Sequence, residues 1–182
     1  MAQHILSSPF DYDLSSVNIG DSVLLKGYIY TGRDAAHKRL YELASENKPL
    51  PVELKNQAIY YVGPCPAKPG HIIGPCGPTT SGRVDKYTPL LLDMGLKVMI
   101  GKGFRSKEVV DAMIKNSSIY LAAVGGAGSL IAKCVKESSV VAFEDLGTEA
   151  IYRLYVENLP TIVAIDTKGN NLYVEGIKKY KR

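Results

Sequence analysis

The chain has 182 residues, 46% hydrophobic and 22% charged, which excludes a disordered protein and suffices for one core without disulfide or metal staples. Three cysteines, Cys65, Cys76 and Cys134, are odd in number, widely spaced and form no C-x-x-C pair, which excludes a disulfide framework and argues against a self-contained zinc site. The net charge of +4 equals the contribution of Lys178, Lys179, Lys181 and Arg182, so it marks a basic end and not a nucleic-acid-binding face.

The first ten residues lack a positive stretch followed by a long apolar one, so no signal peptide is expected. Residues 23–30 (VLLKGYIY) read as a strand, and Asp34 as the N-cap of an amphipathic helix over 35–46. Residues 58–62 (AIYYV) form a short apolar strand. From 63 to 82, ten of twenty residues are Gly or Pro, which forbids regular structure; so long a loop inside a compact domain is expected to be functional. Thr79, Thr80 and Ser81 end it as caps of a helical turn. Thr88-Pro89 starts a helix through Met94 that Gly95 stops. A strand over 96–100 leads into Gly101-Lys102-Gly103, and Ser106 caps a helix over 107–116. A strand over 119–124 runs into Gly125-Gly126-Ala127-Gly128-Ser129 and a short helix to Val135. The remainder reads as a strand at 140–143, a helix near 148–153, strands at 154–157 and 161–165, a turn over 166–170 and a strand at 171–174. Residues 177–182 are expected to be a solvated basic tail. The longest apolar run, 119–132, is interrupted by three glycines and falls short of a membrane span.

Strand, glycine turn and helix recur three times between 58 and 135, the pattern of βα units on a largely parallel sheet, with antiparallel flanks. The expected fold is α/β, in one domain over 1–182. Ligands of such sheets bind beyond the carboxyl ends of the strands. There the sequence places Arg33, the loop end with Thr79 and Arg83, and Lys102, three cations suited to an anionic substrate. Residue type alone favours Thr79 and Thr80 as caps and each single Arg as a surface residue. Lys102 between two glycines suggests close backbone approach. The GGAGS turn is at most a weak phosphate signal, because it matches neither dinucleotide nor P-loop spacing. His37 on its helix reads as a solvent or interface histidine. Cys65 and Cys76 lie in the loop as candidate exposed thiols, and Cys134 falls on an apolar helix as a core residue. Three thiols are enough in number for an iron–sulfur cluster, which stays open at this point.

Read together, YTGRDAAHKRL (30–40), YYVGPCPAKPG (60–70), GPTTSGRVD (77–85), MIGKGFRS (99–106), AVGGAG (123–128) and IDTKGNNLY (165–173) closely resemble the C-terminal domain of class I, iron–sulfur-dependent fumarases. They also resemble the β subunit of the related two-subunit fumarases and L-tartrate dehydratases. The resemblance runs from about residue 10 to 175 and implies a swivelling β/β/α domain with a partly parallel central sheet. It implies a hydro-lyase interconverting malate and fumarate, with this chain as a β subunit active only beside an α subunit, as α2β2; the reduced cysteines and the lack of an export signal lead us to expect the cytoplasm. It further implies a [4Fe–4S] cluster bound by that α subunit and not by this chain, and an active site formed between the two. On the matching motifs, Arg33, Arg83 and Lys102 hold the substrate carboxylates and Thr79 is the base, with Lys102 stabilising developing charge. Cys65 and Cys76 stand where small residues are frequent and match no cluster ligand. Two alternatives stay open: an L-tartrate dehydratase β subunit, and a dicarboxylate-binding module without a catalytic partner. No nucleic acid or membrane is expected as a partner, and a homodimer is open for the isolated chain.

Overall fold

The computed structural model describes residues 1–180; Lys181 and Arg182, two of the four basic residues of the expected tail, lie outside the described residues. The strands are β1 (Gln3–Ser7), β2 (Ser22–Thr31), β3 (Ala58–Tyr60), β4 (Val98–Gly101), β5 (Ile119–Ala122), β6 (Val135–Ala142) and β7 (Ile151–Ile165). The helices are α1 (Asp34–Ser45), α2 (Thr88–Asp93), α3 (Lys107–Asn116), α4 (Gly128–Cys134) and α5 (Leu172–Tyr180). Two 3-10 segments, Ser81–Val84 and Glu144–Glu149, complete the list. Among the described residues no helix is long and apolar enough to cross a membrane.

The strands β1 to β5 run parallel to their neighbours in the order β1-β2-β3-β4-β5. The long β7 is antiparallel to β2, to β5 and to the edge strand β6. Because β7 bonds both β2 and β5, the strands β2, β3, β4, β5 and β7 close into a ring, with β1 and β6 attached to it. Alternation along the strands divides the core in two. Ala58, Tyr60, Val98, Ile100, Ile119 and Leu121 pack with Val23, Leu25 and Leu154 on one face. Ile59, Tyr61, Met99 and Tyr120 point the other way, onto Leu40 of α1, Leu91 of α2 and Met113 of α3.

Several local expectations are corrected. The amino-terminal flank is parallel, since β1, not anticipated from sequence, pairs alongside β2. Arg33 and not Asp34 is the N-cap of α1, and Tyr87 precedes α2, whose Thr88 hydroxyl donates to the Val84 carbonyl. The supposed helix at 148–153 and the strands at 154–157 and 161–165 are one strand after a 3-10 turn. Asn158, at positive φ, accommodates an extra residue of β7 opposite Leu25–Gly27, so a bulge stands where a break was expected. Bonding to partners on both sides outweighs the local helical tendency. Residues 171–174 are not a strand: the Asn171 side chain accepts from the Tyr173 N–H at 3.0 Å and α5 follows. The basic end is accordingly helical through residue 180, with Lys178 and Lys179 in its last turn.

Candidate active site at the carboxyl edge of the parallel strands

The four adjacent parallel strands β2 to β5 end on one edge, and the chain just beyond each carries a residue of interest. Arg33 follows β2 by two residues, Tyr61 follows β3, Lys102 follows β4, and the Gly125 turn follows β5. The second part of the Gly/Pro loop lies across this edge. Thr79 donates both its backbone N–H, at 2.8 Å, and its Oγ1 hydroxyl, at 2.9 Å, to the Tyr61 carbonyl. Thr80 bridges Lys102 in parallel fashion, so the loop end extends the sheet by one residue pair. The cap expectation for Thr79 and Thr80 is therefore corrected: the Thr79 hydroxyl turns to the sheet, and Thr80, at the cap position of the 3-10 turn, makes no capping bond. A strand-like neighbour is the stronger competitor for these backbone groups.

Lys102 is exposed, and its Nζ lies 3.8 Å from where a Cβ on Gly125 would stand. Arg83, on the 3-10 turn, is exposed as well. Neither makes an ion pair among the described residues. The glycines around Lys102 have the expected cause. A Cβ on Gly101 would collide with Ser81 Oγ and stand 2.8 Å from Tyr61 Cδ2, and Gly103 adopts φ +87. In the GGAGS turn, Gly128 is needed for packing: its carbonyl accepts from the Cys76 N–H, and a Cβ there would lie 2.9 Å from the Gly77 nitrogen.

Arg33 is not a free cation. Its Nη2 lies 3.4 Å from Glu149 Oε1 and its Nε 4.0 Å from Asp34 Oδ2. The same Nε is buried and has no hydrogen-bond partner among the described residues. Glu149, which sequence reasoning missed, also accepts from the Ala35 N–H at the start of α1. His37 is corrected from a solvent residue to a buried one. Its Nδ1 donates to the Arg33 carbonyl, its ring meets Tyr61 edge-on at 5.2 Å, and Nε2 is buried without a partner. Burial pushes its pKa down to about 4, so it is neutral at physiological pH.

Beneath the edge lies a second unanticipated feature, the buried Arg105. Its side chain is 0% exposed; Nε pairs with Asp85 Oδ1 at 2.7 Å, and Nη2 donates to Thr88 Oγ1 at 3.0 Å. The guanidinium sits over the rings of Tyr61 and Tyr120 at 5.2 and 5.1 Å. Asp85 also accepts from the Ser106 N–H, which ties the residue after the 3-10 turn to the start of α3. Burial opposes the charge on Arg105, but Tyr61 and the Asp85 carboxylate outweigh it and raise its pKa. An arginine just before α3, buried against two tyrosine rings, has no sequence signature; the sequence marked only its neighbour Ser106, as a cap.

The cysteines divide differently from expectation. Cys65 is exposed as anticipated, Cys76 is fully buried and Cys134 is only half-buried. Burial pushes the Cys76 thiol up to about 12. Among the described residues no group of three or more His, Cys, Asp or Glu side chains could hold a metal ion. The residues present thus do not fit an iron–sulfur cluster, which needs converging thiolates.

The profile of the fumarase C-terminus family matches residues 5–176. The chain is 39% identical over 168 residues to the anaerobic class I fumarate hydratase of Escherichia coli, which covers 91% of this chain and 31% of that protein. It is 38% identical over 173 residues to fumarate hydratase 2 of Leishmania major, covering 92% of this chain and 30% of that protein. It thus spans about 30% of the length of these fumarate hydratases. A putative L(+)-tartrate dehydratase subunit beta of Methanocaldococcus jannaschii is 37% identical over 173 residues, covering 92% of this chain and 89% of that subunit.

Proposed function

Since the chain belongs to the fumarase C-terminus family, we propose that it is the β subunit of a cytoplasmic two-subunit hydro-lyase interconverting malate and fumarate. In this reading Arg33, Arg83 and Lys102 hold the two substrate carboxylates, and Thr79 takes the proton from the carbon beside one of them. The electron pair of that C–H bond becomes the new double bond as the hydroxyl leaves. Lys102 offsets the negative charge that builds toward the enolate-like state. A threonine hydroxyl is a very weak acid, so the base role requires the neighbouring cations to lower the cost of an alkoxide.

The observation that carries the reading is the Thr80–Lys102 bridge: it sets Thr79 and Lys102 on adjacent chain segments, on the same edge that holds the unsatisfied Nε of Arg33. An arginine donor without a partner, on the strand edge that also carries Lys102 and the loop leading to Arg83, neither of them in an ion pair among the described residues, suits a dicarboxylate. The described residues of this chain do not fit a cluster, so the [4Fe–4S] group and the departing hydroxyl are assigned to the α subunit, and this reading gives no residue here a part in that departure. The separate tartrate dehydratase β subunit, matched over 89% of its length, supports a subunit reading.

The test is reconstitution. The chain alone should be inactive toward malate, and the complex with an iron-loaded α subunit active; iron-independent activity of the chain alone would overturn the proposal. In the complex, Thr79→Ala should bind malate yet lose turnover; a near wild-type rate would remove Thr79 as the base. The same tartrate dehydratase match favours a second reading, tartrate as substrate. A kcat/KM for tartrate above that for malate would select it.

A further inference from the structure

We infer that Ser81, Tyr120 and Tyr173 are positioning residues that fix the Lys102 turn, and through it the ammonium that meets the substrate. The inference rests on the assignment of Lys102 to the substrate in the proposed function. A lysine head on four rotatable bonds is aimed only as well as its backbone is held. Here that backbone lies between two glycines and would be mobile if left alone.

All four backbone polar groups of residues 102 and 103 are instead engaged, by groups from three different parts of the chain. The Lys102 N–H donates to Ser81 Oγ at 3.1 Å, and the Lys102 carbonyl accepts from the Ser81 N–H at 2.9 Å. The Gly103 N–H donates to the Tyr173 hydroxyl at 3.2 Å, and the Gly103 carbonyl accepts from the Tyr120 hydroxyl at 3.1 Å. Ser81 comes from the loop, Tyr120 from β5 and Tyr173 from α5.

Donor counting orients the network. A carbonyl can only accept, so the single proton of Tyr120 goes to Gly103. The 2.8 Å contact between Tyr120 Oη and Ser81 Oγ must then carry the Ser81 proton toward Tyr120. Ser81 Oγ is left to accept from Lys102, which it does. Each of the Ser81, Tyr120 and Tyr173 hydroxyls in this network has one consistent role, and both Ser81 and Tyr120 are completely buried. Tyr173 closes the outer side, its ring packed on Phe104 at 5.0 Å.

The test uses Tyr120→Phe and Tyr173→Phe in the complex with the α subunit, because each variant removes one hydroxyl and keeps the ring. Tyr120→Phe should lower kcat about tenfold and Tyr173→Phe about threefold, with KM for malate moving less than the turnover, as for a group displaced by a fraction of an ångström. Amide exchange on the chain supplies a readout that general destabilisation would not reproduce. Tyr173→Phe should speed exchange at Gly103 and Ser81→Ala at Lys102, with α3 amides unchanged. Wild-type kcat in both tyrosine variants, or unchanged exchange at 102 and 103, overturns the inference. Should Tyr120→Phe fail to fold, the partly exposed Tyr173 decides alone. Lys102→Ala separates the two levels. If it keeps full turnover, the role of Lys102 falls; if it is inactive while both tyrosine variants are normal, only the positioning role falls.

Discussion

The two parts of the Gly/Pro loop share a composition and differ in where their backbone bonds go. The first, residues 63–75, folds back on itself: the Cys65 N–H reaches the Pro75 carbonyl, the Gly74 N–H the Cys65 carbonyl, and the His71 N–H the Lys68 carbonyl. Residues 65–72 are all exposed. The second, residues 76–82, bonds to other elements at Cys76, Thr79 and Ser81, whose N–H groups reach the carbonyls of Gly128, Tyr61 and Lys102 in turn. One is a self-closed excursion and the other a supplementary strand laid on the sheet edge. Composition marks both as irregular; only the destination of the N–H and C=O groups identifies the one that is laid on the sheet edge.

Thiol chemistry should show the contrast most strongly, since each part holds one cysteine. Cys65 should react readily with a soluble disulfide reagent. Cys76 is inaccessible, and a rise of three pKa units, from 9.0 to about 12, alone removes about a thousandfold of its thiolate. One fast thiol on Cys65→Ser comparison and a Cys76 released only by denaturant are the expected result. A fast Cys76 would mean that the second part detaches as freely as the first.

Arg105 is the next place to break the attachment. Arg105→Met leaves Asp85 half-buried without its cation beneath the 3-10 turn, and removal of one partner of a buried pair typically costs about 3–5 kcal/mol. Urea unfolding should show a loss of that order, whereas Lys68→Met, in the excursion, should change stability by less than about 0.5 kcal/mol.

His37 offers a pH test of the same attachment, because its ring packs on Tyr61, whose carbonyl holds Thr79. Its folded pKa, about 4, lies below the ordinary 6.5, so between those values the unfolded chain takes up a proton that the native one does not. Stability is therefore present above pH 6.5 and lost as pH falls toward 4, by about 3 kcal/mol at 1.36 kcal/mol per unit. His37→Phe should remove that part of the pH dependence; the Arg33 carbonyl keeps its bond from the residue 37 backbone N–H. An equal slope in the variant would exclude His37 as its source.

The sequence made the parallel strands β2 to β5 legible because each contains a short run of apolar, β-branched or aromatic residues ahead of a turn or loop. Strand ends and motif spacing both pointed to Arg33, Thr79, Arg83 and Lys102, and the structure sets Arg33 just past β2, Lys102 just past β4 and Thr79 on the loop segment that bonds to Tyr61. What stayed hidden was non-local. β1 is an edge strand with little burial, and the exposure of β6 masked its first half. The length of β7 depends on strands on both sides, over a bulge at Asn158 that local propensity reads as a stop. Glu149 beside Arg33, and Arg105 beneath Tyr61 and Tyr120, meet their partners across long stretches of chain. Tyr173 came to the Lys102 turn only because Asn171 starts a helix instead of continuing a strand.

The smallest expected effect belongs to the tip of the excursion. Gly70 adopts φ +79, yet a Cβ there would meet nothing within 4 Å. Gly70→Ala therefore carries only the left-handed backbone penalty of about 1–2 kcal/mol. The substitution also narrows the unfolded ensemble, which returns about 0.4–1 kcal/mol. An exposed turn that bonds mainly to itself can relax further, so the net loss should stay below about 1 kcal/mol by urea unfolding, with kcat in the complex unchanged. A turnover loss with stability intact would show that the excursion touches the substrate or the partner, and the division of the loop into an open part and a working part would then fail.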